Sequence, residues 1–77
     1  MKTEQIFISD KDILGGVPVF YGTRVPVQSL IDHLKAGETI EDFLEGFPSV
    51  KREQAEDFLE IAQESAFKEV GYAHPVR

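Results

Sequence analysis

The chain has no cysteine, no tryptophan and only two histidines, His33 and His74, among its 77 residues. Without cysteine, neither a disulfide staple nor a thiolate metal site can support so small a core. The two histidines lie far apart, without a ligand-like spacing, and neither a metal nor a cofactor is expected. Long hydrophobic runs are absent as well: none approaches the roughly 18 residues needed to cross a bilayer. The opening Met1-Lys2-Thr3-Glu4-Gln5 carries an acid and leads into a short apolar run, unlike a secretory signal. The expectation is a cytoplasmic protein without a membrane role.

Positive charge is also scarce. Eight Lys and Arg stand against 14 Asp and Glu, a net charge of −6. The imbalance is uneven. Residues 1–27 are neutral, with Lys2, Lys11 and Arg24 matching Glu4, Asp10 and Asp12. Residues 28–48 set Lys35 against Asp32, Glu38, Glu41, Asp42 and Glu45, a balance of −4. Residues 49–77 hold four basic and six acidic groups, a balance of −2. Phosphate neutralisation supplies most of the affinity of nucleic-acid binders, and no overall basic footprint exists here. An acidic balance suits a basic protein partner better, and also favours solubility.

Composition is that of a globular chain, 42% hydrophobic and 29% charged, which argues against wholesale disorder. A single domain of this size buries only about 60% of its unfolded surface, so packing shared with a second chain is an attractive route to stability.

The informative segment is Ile13–Val27. It concentrates three of the six glycines (Gly15, Gly16, Gly22), two of the four prolines (Pro18, Pro26) and Arg24 in an otherwise apolar stretch. Glycine permits positive φ and proline fixes φ near −65°, so the segment specifies an irregular path. Gln5–Ser9 reads as a short strand and Asp10-Lys11-Asp12 as a turn. Val17–Phe20 and Thr23–Val25 read as extended pieces around a Tyr21-Gly22 turn.

Helical periodicity begins at Pro26. Val27, Leu30, Ile31 and Leu34 follow the i, i+3, i+4, i+7 pattern, with Gly37 as a left-handed stop. Thr39 reads as the cap of a second helix, whose apolar face is Ile40, Phe43, Leu44 and Phe47. Gly46 and Pro48 close it. Ser49 reads as the cap of a third helix with the stripe Ala55, Phe58, Leu59, Ala62 and Ala66, ending before Gly71. The expected organisation is one domain, 1–77, with a β-extension over 5–27, a helical bundle over 27–70 and a mobile tail over 71–77. It is mostly α: a small three-helix, helix-turn-helix bundle carrying a short N-terminal β-extension.

No nucleophile–base pair, phosphate loop or metal cluster is recognisable, and no enzymatic activity is expected. Glu38, Glu41, Asp42 and Glu45 could bind a cation but fit a solvated acidic face, and His33 fits a solvated histidine. At the start of the third helix, Lys51, Arg52 and Gln54 are chemically suited to phosphate and base contact, although Glu53, Glu56, Asp57 and Glu60 share that helix. Solvated or ion-paired surface roles are the favoured reading of Lys51 and Arg52, since surface charges are the default. Arg24 fits a pairing with a helix carboxylate such as Asp32 or with loop carbonyls better than contact with a partner or a phosphate. Phe20, Tyr21, Ile61 and Phe67 are candidates for a partner or dimer surface.

The pattern Asp10-x-x-Ile13-Leu14-Gly15-Gly16-x-Pro18-Val19, then Gly22-Thr23-Arg24-Val25-Pro26-Val27, resembles the bacterial domain-of-unknown-function family 433. Leu30, Leu34, Gly37, Ile40–Leu44 and Phe47-Pro48 continue the match over roughly Ile8 to Ala62. The motif residues are Gly15, Gly16, Pro18, Gly22, Thr23, Arg24 and Pro26. Lys11 and Val17 depart from the proline and the basic residue frequent at those positions. The resemblance implies a homeodomain-like helix-turn-helix fold, a homodimer, and an antitoxin-like role beside a PIN-like ribonuclease toxin. The alternatives are a DNA-binding transcriptional regulator of its own operator and an orphan interaction domain without a toxin.

Overall fold

The stripe Val27, Leu30, Ile31, Leu34 folds into helix α2, Val27–Lys35, with Leu30 wholly buried and its three companions packed on the core. Pro26 caps this helix from outside instead of occupying its first turn. In the computed structural model, which describes residues 3–71, α2 ends as its glycine requires. Gly37 sits at φ +86°, and its N–H and that of Glu38 donate to the carbonyls of Leu34 and His33, both at 3.0 Å. This Schellman closure satisfies carbonyls that would otherwise lack partners.

Helix α3, Ile40–Gly46, opens on a reciprocal capping box. The Thr39 hydroxyl accepts from the Asp42 N–H at 3.1 Å, and the Asp42 carboxylate accepts from the Thr39 N–H at 3.0 Å. Phe43 is fully buried, and Ile40, Leu44 and Phe47 flank it. A turn over residues 47–51 buries Val50 and leads to helix α4, Arg52–Glu69. Its cap is therefore Lys51 and not the expected Ser49, because the Val50 N–H bonds back to the Phe47 carbonyl and holds the turn non-helical for two residues more.

On α4 the expected stripe holds for Ala55, Phe58 and Leu59 but fails at Ala62 and Ala66, which are exposed. At 18 residues, α4 is about 27 Å long and outruns the core beneath it. The N-terminal turn over residues 3–6 packs against this helix, and Ile61 still lies against the core.

The N-terminal expectation is corrected in part. Thr3–Ile6 forms a helical turn, α1, and only Phe7–Ile8 is strand, β1. It pairs antiparallel with β2, Val19–Phe20, in the register Phe7↔Phe20 and Ile8↔Val19, and Val19 also bridges Pro26. So short a hairpin is not stable alone. It survives because Ile6 and Phe20 join the core with Leu30, Phe43, Val50, Ala55 and Phe58. The architecture is thus mostly helical with a short two-stranded sheet. The extension packs on its own bundle. Between the strands, Leu14–Gly16 makes one 3-10 turn in which three successive residues have positive φ: Leu14 +50°, Gly15 +66° and Gly16 +95°. Two of the three being glycine removes most of the steric penalty. The tail expectation, together with His74, lies outside the described residues except for Gly71.

Candidate functional site

The segment that identifies the chain is held by hydrogen bonds of its own. The Thr23 hydroxyl donates to the Phe20 carbonyl at 2.8 Å and accepts from the Val25 N–H at 3.0 Å. The Phe20 N–H closes the same loop on the Val25 carbonyl at 2.9 Å, and the Val27 N–H reaches the Pro18 carbonyl at 3.1 Å. The Ser9 hydroxyl donates to the Gly16 carbonyl. Gly22, at φ +78°, supplies the turn after Tyr21. Thr23, not Arg24, is therefore the donor that satisfies this loop. Arg24 is exposed, with no hydrogen bond or ion pair among the described residues, and Asp32 instead accepts from Gln28 Nε2 at 2.9 Å.

This framework leaves Leu14, Val17 and Tyr21 exposed, at 44%, 44% and 52% of their full surface. Of the expected partner surface only Tyr21 is exposed, and it is about half exposed. Phe20 is 0% exposed, because it packs against Phe43 and Phe58 at ring-centroid distances of 6.0 and 5.9 Å. Ile61 packs against the core, and Phe67 is half-buried. Leu14 and Val17 escaped the sequence reading. Their signal was position: each flanks Gly15-Gly16, where a turn cannot bury both neighbours.

The expected nucleic-acid trio separates into three situations. Lys51 is exposed and unpaired among the described residues. Arg52 Nη2 meets Glu41 Oε2 at 2.6 Å and Nη1 meets Glu56 Oε2 at 3.4 Å, linking α3 to α4. The hydrogen bond from Arg52 holds the Glu41 carboxyl below its ordinary value of 4.5 and raises the guanidinium in turn. Gln54 corrects the expectation most fully. It is 4% exposed, and its Nε2 donates to the Tyr21 carbonyl at 3.0 Å, with longer contacts to the carbonyls of Ile6 and Gln5. Its Oε1 accepts from the Lys51 N–H at 3.0 Å. Gln54 is a clasp between extension and bundle and has nothing left for a base edge.

The acidic residues considered for a cation are dispersed. Glu41 serves Arg52, and Asp42 serves the α3 cap, where the Thr39 N–H holds its carboxyl below the ordinary 3.8. No group of three or more His, Asp or Glu among the described residues is arranged to hold a metal. His33 is not simply solvated: its ring lies edge-on to Phe43 and Phe47, at 5.5 and 5.8 Å, and its buried Nδ1 lies within ion-pair distance of the Glu38 carboxylate without a hydrogen bond. No helix among the described residues is long and apolar enough to cross a membrane.

One cleft of about 420 Å³ lies where the two regions meet, lined by Gln5, Tyr21, Gly22, Ser49, Lys51 and Gln54. A smaller acidic groove, about 320 Å³, separates α1 from α4 at Asp57, Glu60 and Glu64.

The family model described as "Protein of unknown function (DUF433)" matches residues 8–62, which contain the whole glycine–proline segment and the start of α4. The uncharacterized protein y4eO of Sinorhizobium fredii is 46% identical over 50 residues, 65% of this chain and 23% of that protein. The chain spans about a quarter of that relative's length. No solved structure matches.

Proposed function

We propose that this chain, which belongs to the DUF433 family, is a non-enzymatic, antitoxin-like binding module that works as a homodimer and masks a basic protein partner, a PIN-like ribonuclease. The observation that carries the reading is the exposure of Leu14, Val17 and Tyr21 on a backbone fixed by its own hydrogen bonds. Apolar side chains held rigidly in water associate with little ordering cost. Charge supports a basic partner, since residues 28–48 carry −4 and the whole chain −6. Co-expression with the product of the adjacent reading frame tests the reading. A stable complex is expected, weakened at least about tenfold by Leu14→Asp. Failure to form any complex from low to high salt sinks the proposal.

A second reading is favoured by one observation, the unpaired Lys51 at the start of α4. On this reading α2, α3 and α4 form a homeodomain-like, three-helix bundle, with α3 and α4 as a helix-turn-helix that binds the chain's own operator. Arg52 is already paired and Gln54 buried, which leaves Lys51 alone of the trio. A gel-shift on the upstream DNA decides it: affinity equal to that for random DNA, or a salt slope near zero, refutes operator reading.

A further inference from the structure

The cleft between the Tyr21-Gly22 turn, α1 and the approach to α4 gathers polar groups that the fold itself does not use. Tyr21, Ser49 and Lys51 line it, and their two hydroxyls and the ammonium have no hydrogen bond or ion pair among the described residues. Their neighbours are already committed. The Gln54 amide closes the floor on backbone carbonyls, and Arg52 points to Glu41 and Glu56. One lysine and two hydroxyl-bearing residues, contributed by segments about 30 positions apart in sequence, therefore border one hollow of about 420 Å³, and one of them is the half-exposed Tyr21.

We propose that this cleft seats a single carboxylate, the side chain of an acidic residue on a bound protein partner. Lys51 supplies the counter-charge, Ser49 and Tyr21 donate hydrogen bonds, and the Tyr21 ring covers the apolar stem. The inference deepens the protein-binding reading and rests on it. A carboxylate fits better than a phosphate on charge grounds. The ammonium carries one positive charge and offers no fork, whereas a phosphate monoester brings close to two negative charges. Exposed Glu53 stands two residues beyond Lys51, in a chain already at −6, and opposes the second charge. An acidic anchor here, within an otherwise basic partner face, also fixes the register of the complex.

The test is amide NMR of the whole chain titrated with sodium acetate and, separately, with inorganic phosphate, each against sodium chloride at equal ionic strength. Acetate is expected to give saturating shifts at Gly22, Ser49 and Lys51. Lys51→Ala weakens the affinity by roughly tenfold or more, the loss of a charge-assisted hydrogen bond, while Lys51→Arg retains it. Ser49→Ala falls between. Acetate shifts that match those of chloride, or that persist in Lys51→Ala, overturn the proposal. Tighter binding of phosphate than of acetate also overturns it and assigns the cleft to a phosphate-bearing ligand. If acetate does not bind while partner capture remains sensitive to Leu14→Asp, the cleft assignment fails and the protein-binding reading stands.

Discussion

Residues 27–69 and residues 7–26 bury their apolar side chains by different rules. In α2 and α3 a residue's burial follows its place in a 3.6-residue repeat: Leu30 and Phe43 are fully covered and their i±3 and i±4 companions half-covered. In the extension, neighbours in the chain have opposite fates. Val19 and Phe20 are wholly buried, whereas Val17 and Tyr21 on either side are about half exposed. There the path is set by backbone dihedrals and a few hydrogen bonds, at Leu14–Gly16, Gly22 and Thr23. Periodic packing distributes stability over many side chains. An irregular segment concentrates it in a few, and those few are the better targets for breaking the molecule into its two parts.

The largest effects are expected where the two regions share the core. Phe43→Ala in α3 and Phe20→Ala in β2 should each lose about 3–5 kcal/mol in urea unfolding, since both rings are fully buried and touch one another. That approaches the whole stability of a domain this small. A loss below about 1 kcal/mol for Phe20→Ala would show the extension to be an appendage of the helices.

Next in size is the clasp. Gln54→Ala removes the amide that binds the Tyr21 carbonyl and the cap on the Lys51 N–H, and should cost about 1–3 kcal/mol through groups left unsatisfied. The readout specific to the comparison is hydrogen exchange: amides of Phe20 and Tyr21 should lose more protection than those of α2. Uniform loss across the chain would mean that Gln54 stabilises the bundle and not the seam.

A pair of glycines then gives effects of opposite sign. Gly16, at φ +95°, has its nearest would-be Cβ neighbour at 3.8 Å, so Gly16→Ala meets no clash and suffers only the dihedral penalty, about 1–2 kcal/mol. Gly46 ends α3 without positive φ and with open space around it, so Gly46→Ala should be neutral or stabilising by up to about 1 kcal/mol. Equal effects at the two positions would erase the distinction between a dihedral-determined and a periodicity-determined region.

How much of this was legible in the sequence follows the same division. The apolar faces of α2 and α3, the Gly37 stop and the Thr39 cap were readable, because each is a local rule about residues three or four apart. The tight turn at Tyr21-Gly22 was readable for the same reason. Ala62 and Ala66 misled because periodicity reports which face of a helix is apolar, not how far a partner extends along it. Gln54 misled because its partners, the carbonyls of Gln5, Ile6 and Tyr21, lie 33 to 49 positions away and leave no trace in local pattern. Phe20 and Tyr21 could not be sorted into inside and outside until the register Phe7↔Phe20 was known. The cleft was illegible for the combined reason: it exists only where the irregular turn meets the start of α4.

The smallest expected effect separates two surface devices within the helical region. Glu41 and Asp42 both have carboxyls held below their ordinary values of 4.5 and 3.8, the first by Arg52 and the second by the Thr39 N–H. A carboxyl whose folded pKa is depressed contributes stability that is complete above its unfolded pKa and disappears as pH falls through the folded one. Stability should therefore be flat from pH 7 down to about 5, then decline modestly below it. Both groups are fully exposed, so the decline is small, and the ion pair alone should fade in high salt. Arg52→Gln should shrink the part of the acid decline that comes from Glu41, whose own backbone N–H still lowers it, and leave the part that comes from Asp42. Asp42→Asn should do the reverse and also loosen the first turn of α3. An acid decline identical in both variants and the parent would place its origin elsewhere, denying the ion pair a share in holding α3 against α4 and the cap a share in holding the first turn of α3.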